Sequence, residues 1–199
     1  DFNLSKEHQM AQQLFRDFAH NEVAPWAEET DEFHRFPWEA VRKMQSCGLM
    51  GIPFAKSVGG QGCDTLTYIL AVEEISKVCA TTGVILSAHT SLATDAINIY
   101  GTEQQKEQFL RPLAEGRKLG SFALTEPEAG TDAAGQQSKA VLDGDEWVLN
   151  GTKIFITNAE VADTYIVFAM TDKAQGTRGI SAFIIEKATP GFSFGPAEK

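Results

Sequence analysis

Residues 117–125, RKLGSFALT, separate two halves of the chain that have different periods. Before Gly120, apolar residues recur at intervals of three and four. After it they alternate with polar ones and are enriched in β-branched and aromatic types. The first spacing lines one stripe of a helix and the second lines one face of a strand. Helices first and strands second imply two segregated units, an all-α helical bundle followed by an antiparallel β-barrel or sheet, an α+β chain. Residues 1–118 are assigned to the helical domain and 119–199 to the β domain.

In the first half, Ser5 suits an N-cap, with Met10, Leu14, Phe15 and Phe18 on one face of a helix ending before Pro25. A second helix starts at Pro37, buries Trp38, Val41 and Met44, and stops at Gly48. The glycine-rich run GLMGIPFAKSVGGQGCD, 48–64, reads as a loop. Asp64 then caps a helix carrying Leu66, Ile69, Leu70, Val72, Ile75 and Val78 over so wide an arc that most of its girth should be covered. Residues 81–101 repeat that pattern. Thr102 and Gln105 form a capping box for the last helix, which turns Phe109, Leu110 and Leu113 inward before Gly116.

The second half predicts strands at 121–125, 138–143, 146–150, 152–157, 164–171 and 180–186, with a last one in GFSFG, 191–195. Asn150-Gly151 is the strongest hairpin signal, and Asp143-Gly144 marks another.

Composition limits the function classes. The 199 residues are 43% hydrophobic and 22% charged, with 17 Lys+Arg against 27 Asp+Glu. That is an ordinary globular composition, not a disordered or disulfide-dense one. The net charge of -10, without a basic cluster, disfavours nucleic acid and anionic membranes, because both repel a negative surface. Apolar runs fall far short of the ~20 residues of a membrane helix. Cys47, Cys63 and Cys79 are too far apart for a CxxC metal pair and odd in number, so no metal site is expected and a reducing, cytoplasmic setting fits.

Two stretches carry chemistry. In FALTEPEAGTDAAG, 122–135, a strand runs out into a loop with Pro127, Gly130, Gly135 and the small polar Thr125, Thr131 and Asp132. Such a loop can offer several N–H groups and hydroxyls at one place, although the same composition also makes a plain turn. In TKIFIT, 152–157, strand alternation sets Lys153, Phe155 and Thr157 on one side. An aromatic plane beside a hydroxyl suits a flat cofactor. Taken alone, the segment is better explained by a Phe packed into the barrel wall and a Thr chosen for β propensity.

These two stretches in this order, with the GIPFAKSVGGQG loop, LAVEEISK, YGTEQQKEQFLRPLAEGRKLG, DTYIVFAMTD and TPGFSFG, resemble the acyl-CoA dehydrogenase family along the whole chain, most closely its short-chain, butyryl-CoA-type members. The resemblance implies noncovalent FAD held between this middle β domain and C-terminal helices. Phe122, Leu124, Thr125, Gly130 and Thr131 match the first flavin-contacting motif, and Phe155, Ile156 and Thr157 match the second, where the aromatic is often Trp. Thr157 matches the hydroxyl that bonds the flavin's reducible nitrogen. Thr131 also matches an acyl-CoA contact, and Thr177 and Arg178 match positions near the CoA tail. The helix around Ile85, Leu86, Ala88 and His89 matches the floor of the acyl pocket, with His89 read as a packed histidine.

The family's catalytic base is a Glu in a C-terminal helical domain outside these residues, so no catalytic residue is assigned here. Glu126 reads as a structural loop carboxylate and Glu128 matches no base. The β domain is expected to be incomplete and the fragment alone inactive. Acyl-CoA substrate, an electron-transfer flavoprotein as electron acceptor and a homotetramer through the C-terminal helices are further implications. The alternative is a noncatalytic flavin or acyl-CoA binding module.

Overall fold

The computed structural model describes residues 3–197. Its described residues divide into two compact units, 3–119 and 120–197.

The first unit is helical. α1 (Lys6–Phe18) starts where Ser5 accepts from His8 N–H, but Pro25 does not end it: the chain continues through a π turn, Ala19–Val23, into α2 (Ala24–Glu32). Pro25 lies in the first turn of α2, where its missing N–H breaks no bond. α3 (Trp38–Ser46) follows Pro37 and buries Val41 and Met44, while Trp38 is half-buried. α4 (Thr65–Val78) is capped by the Asp64 carboxylate on Thr67 N–H. α5 (Ala80–Ser87), a π stretch over Ala88–Thr94 and α6 (Asp95–Tyr100) run as one rod. The Thr102–Gln105 capping box opens α7 (Glu103–Gln105), and a π turn leads to α8 (Arg111–Ala114).

The core gathers Phe15, Val41, Met44, Met50, Ile75, Leu86, Leu110 and Leu113. Met10, Leu14, Leu66 and Ile69 are exposed within this unit, against the expectation of a covered stripe. α1 and α4 meet instead through Glu74, a buried carboxylate that accepts from Gln12, Arg16 and Lys77. Polar residues occupy part of the inner face there, and Met10 and Leu14 turn outward while Phe15 stays buried.

The second unit is a mixed, open sheet rather than an antiparallel barrel. β1 (Gly120–Ala123) pairs in parallel with β4 (Thr164–Met170), Gly120 opposite Thr164. β2 (Lys139–Asp143) and β3 (Glu146–Asn150) form an antiparallel hairpin around Gly144, φ 65°. β5 (Ile180–Glu186) runs antiparallel to β4 over its full length. Since β5 fills one edge of β4, β1 and β2 share the other, β2 joining at Lys139 opposite Met170.

Residues 152–157 are not a strand, and Asn150-Gly151 is not a hairpin turn. Gly151 serves close approach: a Cβ there would lie 2.0 Å from Ser138 Oγ. GFSFG is no strand either. Phe192 and Phe194 pack on the buried Tyr165, with ring centroids 4.8 and 5.8 Å away. Among the described residues no helix is long and apolar enough to cross a membrane, and no group of His, Cys, Asp and Glu could hold a metal ion.

Candidate functional site

The site is built where β1 ends. Ser121 and Ala123 turn inward, while Phe122 and Leu124 lie half-exposed on the opposite face, Phe122 against Phe168 at 5.0 Å. The chain then turns over Pro127 and Glu128, closed by Glu126 N–H to Ala129 O and Ala129 N–H to Glu126 O. Beyond this turn Gly130 and Thr131 are exposed, with open space where a Gly130 Cβ would stand. Among the described residues the N–H groups of 130–134 enter no hydrogen bond, so the loop keeps a run of free donors.

The 151–158 segment lies alongside. Ile154 N–H donates to Thr125 O at 2.9 Å, Ser121 Oγ to Thr157 O at 2.7 Å, and Asn158 Nδ2 to Gly120 O at 3.1 Å. These bonds bring the two sequence motifs together. Among the described residues neither the Thr125 nor the Thr157 hydroxyl has a partner. Strand alternation fails here because Phe155 adopts φ 56°, a conformation uncommon for a bulky residue, and its ring is 70% exposed. Ile156 is half-buried.

Lys153 does not share a side with Phe155 and Thr157 as alternation predicts. Its Nζ turns inward to Leu124 O (3.0 Å), Glu126 Oε1 (2.6 Å) and Gln136 Oε1 (3.3 Å). Glu126 also accepts from the N–H groups of Gln137 and Ser138. Burial pushes its carboxyl up, but Lys153 and these donors more than reverse that and bring it down to about 2. Glu126 is therefore an ionised, fully occupied carboxylate, a poor proton acceptor. It fixes the loop, as its reading as a structural group requires.

Thr177 and Arg178 sit exposed on the 3-10 stretch Lys173–Gly179 between β4 and β5. Among the described residues no hydrogen bond or ion pair ties their side chains to the other site residues. In the helical unit, His89 is fully buried with Nε2 3.2 Å from Leu113 O, and burial holds it down at about 4, in line with a packed histidine. Ile85, Leu86 and Ala88 are buried beside it in sequence.

Sequence reasoning missed Ser121, Lys153 and Asn158 as parts of the site. Asn158 carried a local signal, since Asn is among the few residues that accept a left-handed backbone. The roles of Ser121 and Lys153 depend on partners 36 and 27 residues away, which no local pattern encodes.

The arrangement offers two free hydroxyls, a run of free amides and an exposed ring, and its ionic pair is internally satisfied. That donor set suits a flat aromatic guest with acceptors along its edge.

Residues 5–117 match the family described as acyl-CoA dehydrogenase, N-terminal domain, and residues 121–199 match its middle domain. The short-chain specific acyl-CoA dehydrogenase of Clostridium acetobutylicum is 61% identical over all 199 residues, which cover 52% of that relative. The structure of butyryl-CoA dehydrogenase from Megasphaera elsdenii superimposes with a TM-score of 0.95 at 49% identity, covering 100% of this chain and 53% of that one. An acyl-CoA dehydrogenase from Bacillus anthracis, solved complexed with FAD, gives 0.89 at 35% identity, covering 99% of this chain and 33% of the other. The chain thus spans about half the length of the curated relative it matches. With both domain matches in sequence order and together spanning nearly every residue, the chain belongs to the acyl-CoA dehydrogenase family.

Proposed function

We propose that this chain forms the flavin-facing wall of an FAD-dependent enzyme that oxidises short-chain acyl-CoA to trans-2-enoyl-CoA. The observation that carries the reading is the Ile154 N–H to Thr125 O bond, which joins the two motifs and supports one patch made of the unpaired Thr125 and Thr157 hydroxyls and the exposed Phe155 ring. The residues fit FAD: Thr125, Thr157 and the amides of 130–134 would hold its polar edge and Phe155 its face. The chemistry drawn from FAD is acceptance of the β hydride.

The chain's own residues bind and orient. Hydroxyl and amide donors aimed at a ring that gains negative charge bind the charge-rich form more strongly, which favours the transfer. Thr131, Thr177 and Arg178 are assigned to acyl-CoA. The α-proton base is assigned to a Glu outside these 199 residues, because Glu126, the carboxylate locked into the site, is already paired with Lys153. An electron-transfer flavoprotein would take the electrons onward. A homo-oligomeric, tetrameric cytoplasmic enzyme completes the reading, and three free thiols suit a reducing compartment.

The test is an FAD titration followed by flavin fluorescence. The wild-type protein should bind, and T125V or T157V should each weaken binding roughly 3- to 10-fold, the worth of one hydrogen bond. Equal affinity in both variants would overturn the site. With butyryl-CoA and a dye acceptor, the 199-residue chain should reduce no dye; turnover would place the base inside it.

A further inference from the structure

We infer that Ser121 and Asn158 are positioning residues that aim Thr157 and Phe155 at the bound ring, an inference that rests on the flavin reading above. Ser121 is fully buried and donates to Thr157 O at 2.7 Å. Asn158 is 7% exposed, sits at φ 65° and donates its side-chain amide to Gly120 O at 3.1 Å. Both bonds end on the first two residues of β1, which are themselves paired with Thr164 and Tyr165 of β4. The anchor is therefore the sheet and not another loop.

At the other end of the segment, Ile154 N–H is fastened to Thr125 O. The three residues between Ile154 and Asn158 are thus tied down on both sides. A Phe at φ 56° with an exposed ring is a costly conformation that relaxes unless its surroundings impose it, and such strain concentrates at ligand sites. The Ser121 hydroxyl and the Asn158 amide are committed to backbone carbonyls inside the unit, so they act on the guest through Thr157 and Phe155. Sites of this kind lose function when the supporting residues loosen, even with every contacting group present.

Two substitutions separate positioning from folding. Ser121→Ala removes the bond to Thr157 without changing backbone preference, and Asn158→Gly keeps the left-handed backbone while removing the amide. In the full chain saturated with FAD, both should change the shape of the visible flavin band and the flavin reduction potential, with FAD binding weakened roughly tenfold. Ser121→Thr, which keeps the hydroxyl, should restore both readouts. A variant that keeps its far-ultraviolet circular dichroism but takes up no FAD also supports the inference. Wild-type spectra and potentials in both variants at saturation would overturn it while leaving the flavin reading intact. A wild-type protein that takes up no FAD would overturn both.

Discussion

The Lys153 ammonium lies 2.6 Å from Glu126 Oε1, joining residues 27 apart in sequence, with the two side chains 10% and 3% exposed. This pair ties the first motif to the second at the point where strand alternation gives way. Removing the cation leaves an ionised carboxylate shut away from water, a change that typically costs about 3–5 kcal/mol. Lys153→Met should therefore lower stability by about that much in denaturant titrations, whereas the double change Lys153→Met with Glu126→Leu should recover most of it. A single variant as stable as wild type would show that the pair holds nothing together.

Glu126 also makes stability depend on acid. Its folded value is about 2, against an ordinary 4.5. A lowered carboxyl contributes stability that is present above 4.5 and lost as pH falls toward 2, about 3 kcal/mol in all. Glu126→Gln should flatten the stability profile in that window relative to wild type, as read by denaturant midpoints at successive pH values.

A second window belongs to His89. Burial brings it from 6.5 to about 4, and the Leu113 and Met50 carbonyls only partly offset this. The folded protein resists taking up the proton that the unfolded chain accepts. Stability from the neutral ring is therefore complete above 6.5 and is lost as pH falls to 4, again about 3 kcal/mol. His89→Gln should remove this slope while leaving the Glu126 window in place. An unchanged slope between pH 6.5 and 4 would mean that another group is responsible.

Local features of the fold were legible in the sequence because their physics is local. The caps at Ser5 and Asp64 and the Thr102–Gln105 box each satisfy helix N–H groups within three residues. Periodicity identified apolar faces but not what covers them, which is why Met10 and Leu14 on α1 were placed wrongly. The parallel β1–β4 pairing joins residues 44 apart, Gly120 with Thr164, and leaves no turn signature between them. Thr152, Ile154, Ile156 and Thr157 have the composition of a strand, but the Lys153, Ser121 and Asn158 side-chain bonds override that weak preference. The candidate site was legible as a set of residues through the family resemblance, while the bonds that bring its halves together were not.

Gly151 shows the same difference. If it were a hairpin glycine, its value would lie in a positive φ, yet it is absent from the positive-φ glycines among the described residues. Its role is to let the chain pass Ser138, whose Oγ, Cβ and Cα would stand 2.0, 2.5 and 2.7 Å from an added Cβ. Gly151→Ala should cost about 1–3 kcal/mol by overpacking. Ser138→Gly should partly rescue it, since it removes two of those three atoms. No rescue would favour a backbone cause.

Phe155 offers the sharpest trade between stability and binding. Its φ of 56° costs on the order of 1–3 kcal/mol, and its ring, 70% exposed, recovers little by burial. Glycine adopts that conformation freely, at an unfolded-state entropy cost of about 0.5–1 kcal/mol. Phe155→Gly should therefore raise the thermal stability of the flavin-free protein, by about 1 kcal/mol as the balance of those two terms. The same change removes the aromatic face offered to the guest, so FAD affinity should fall by about 0.5–1.5 kcal/mol, the worth of an aromatic contact. Opposite signs for the two measurements are what a conformation retained for its ligand produces; a variant both less stable and equally able to bind would mean that the ring serves the sheet instead.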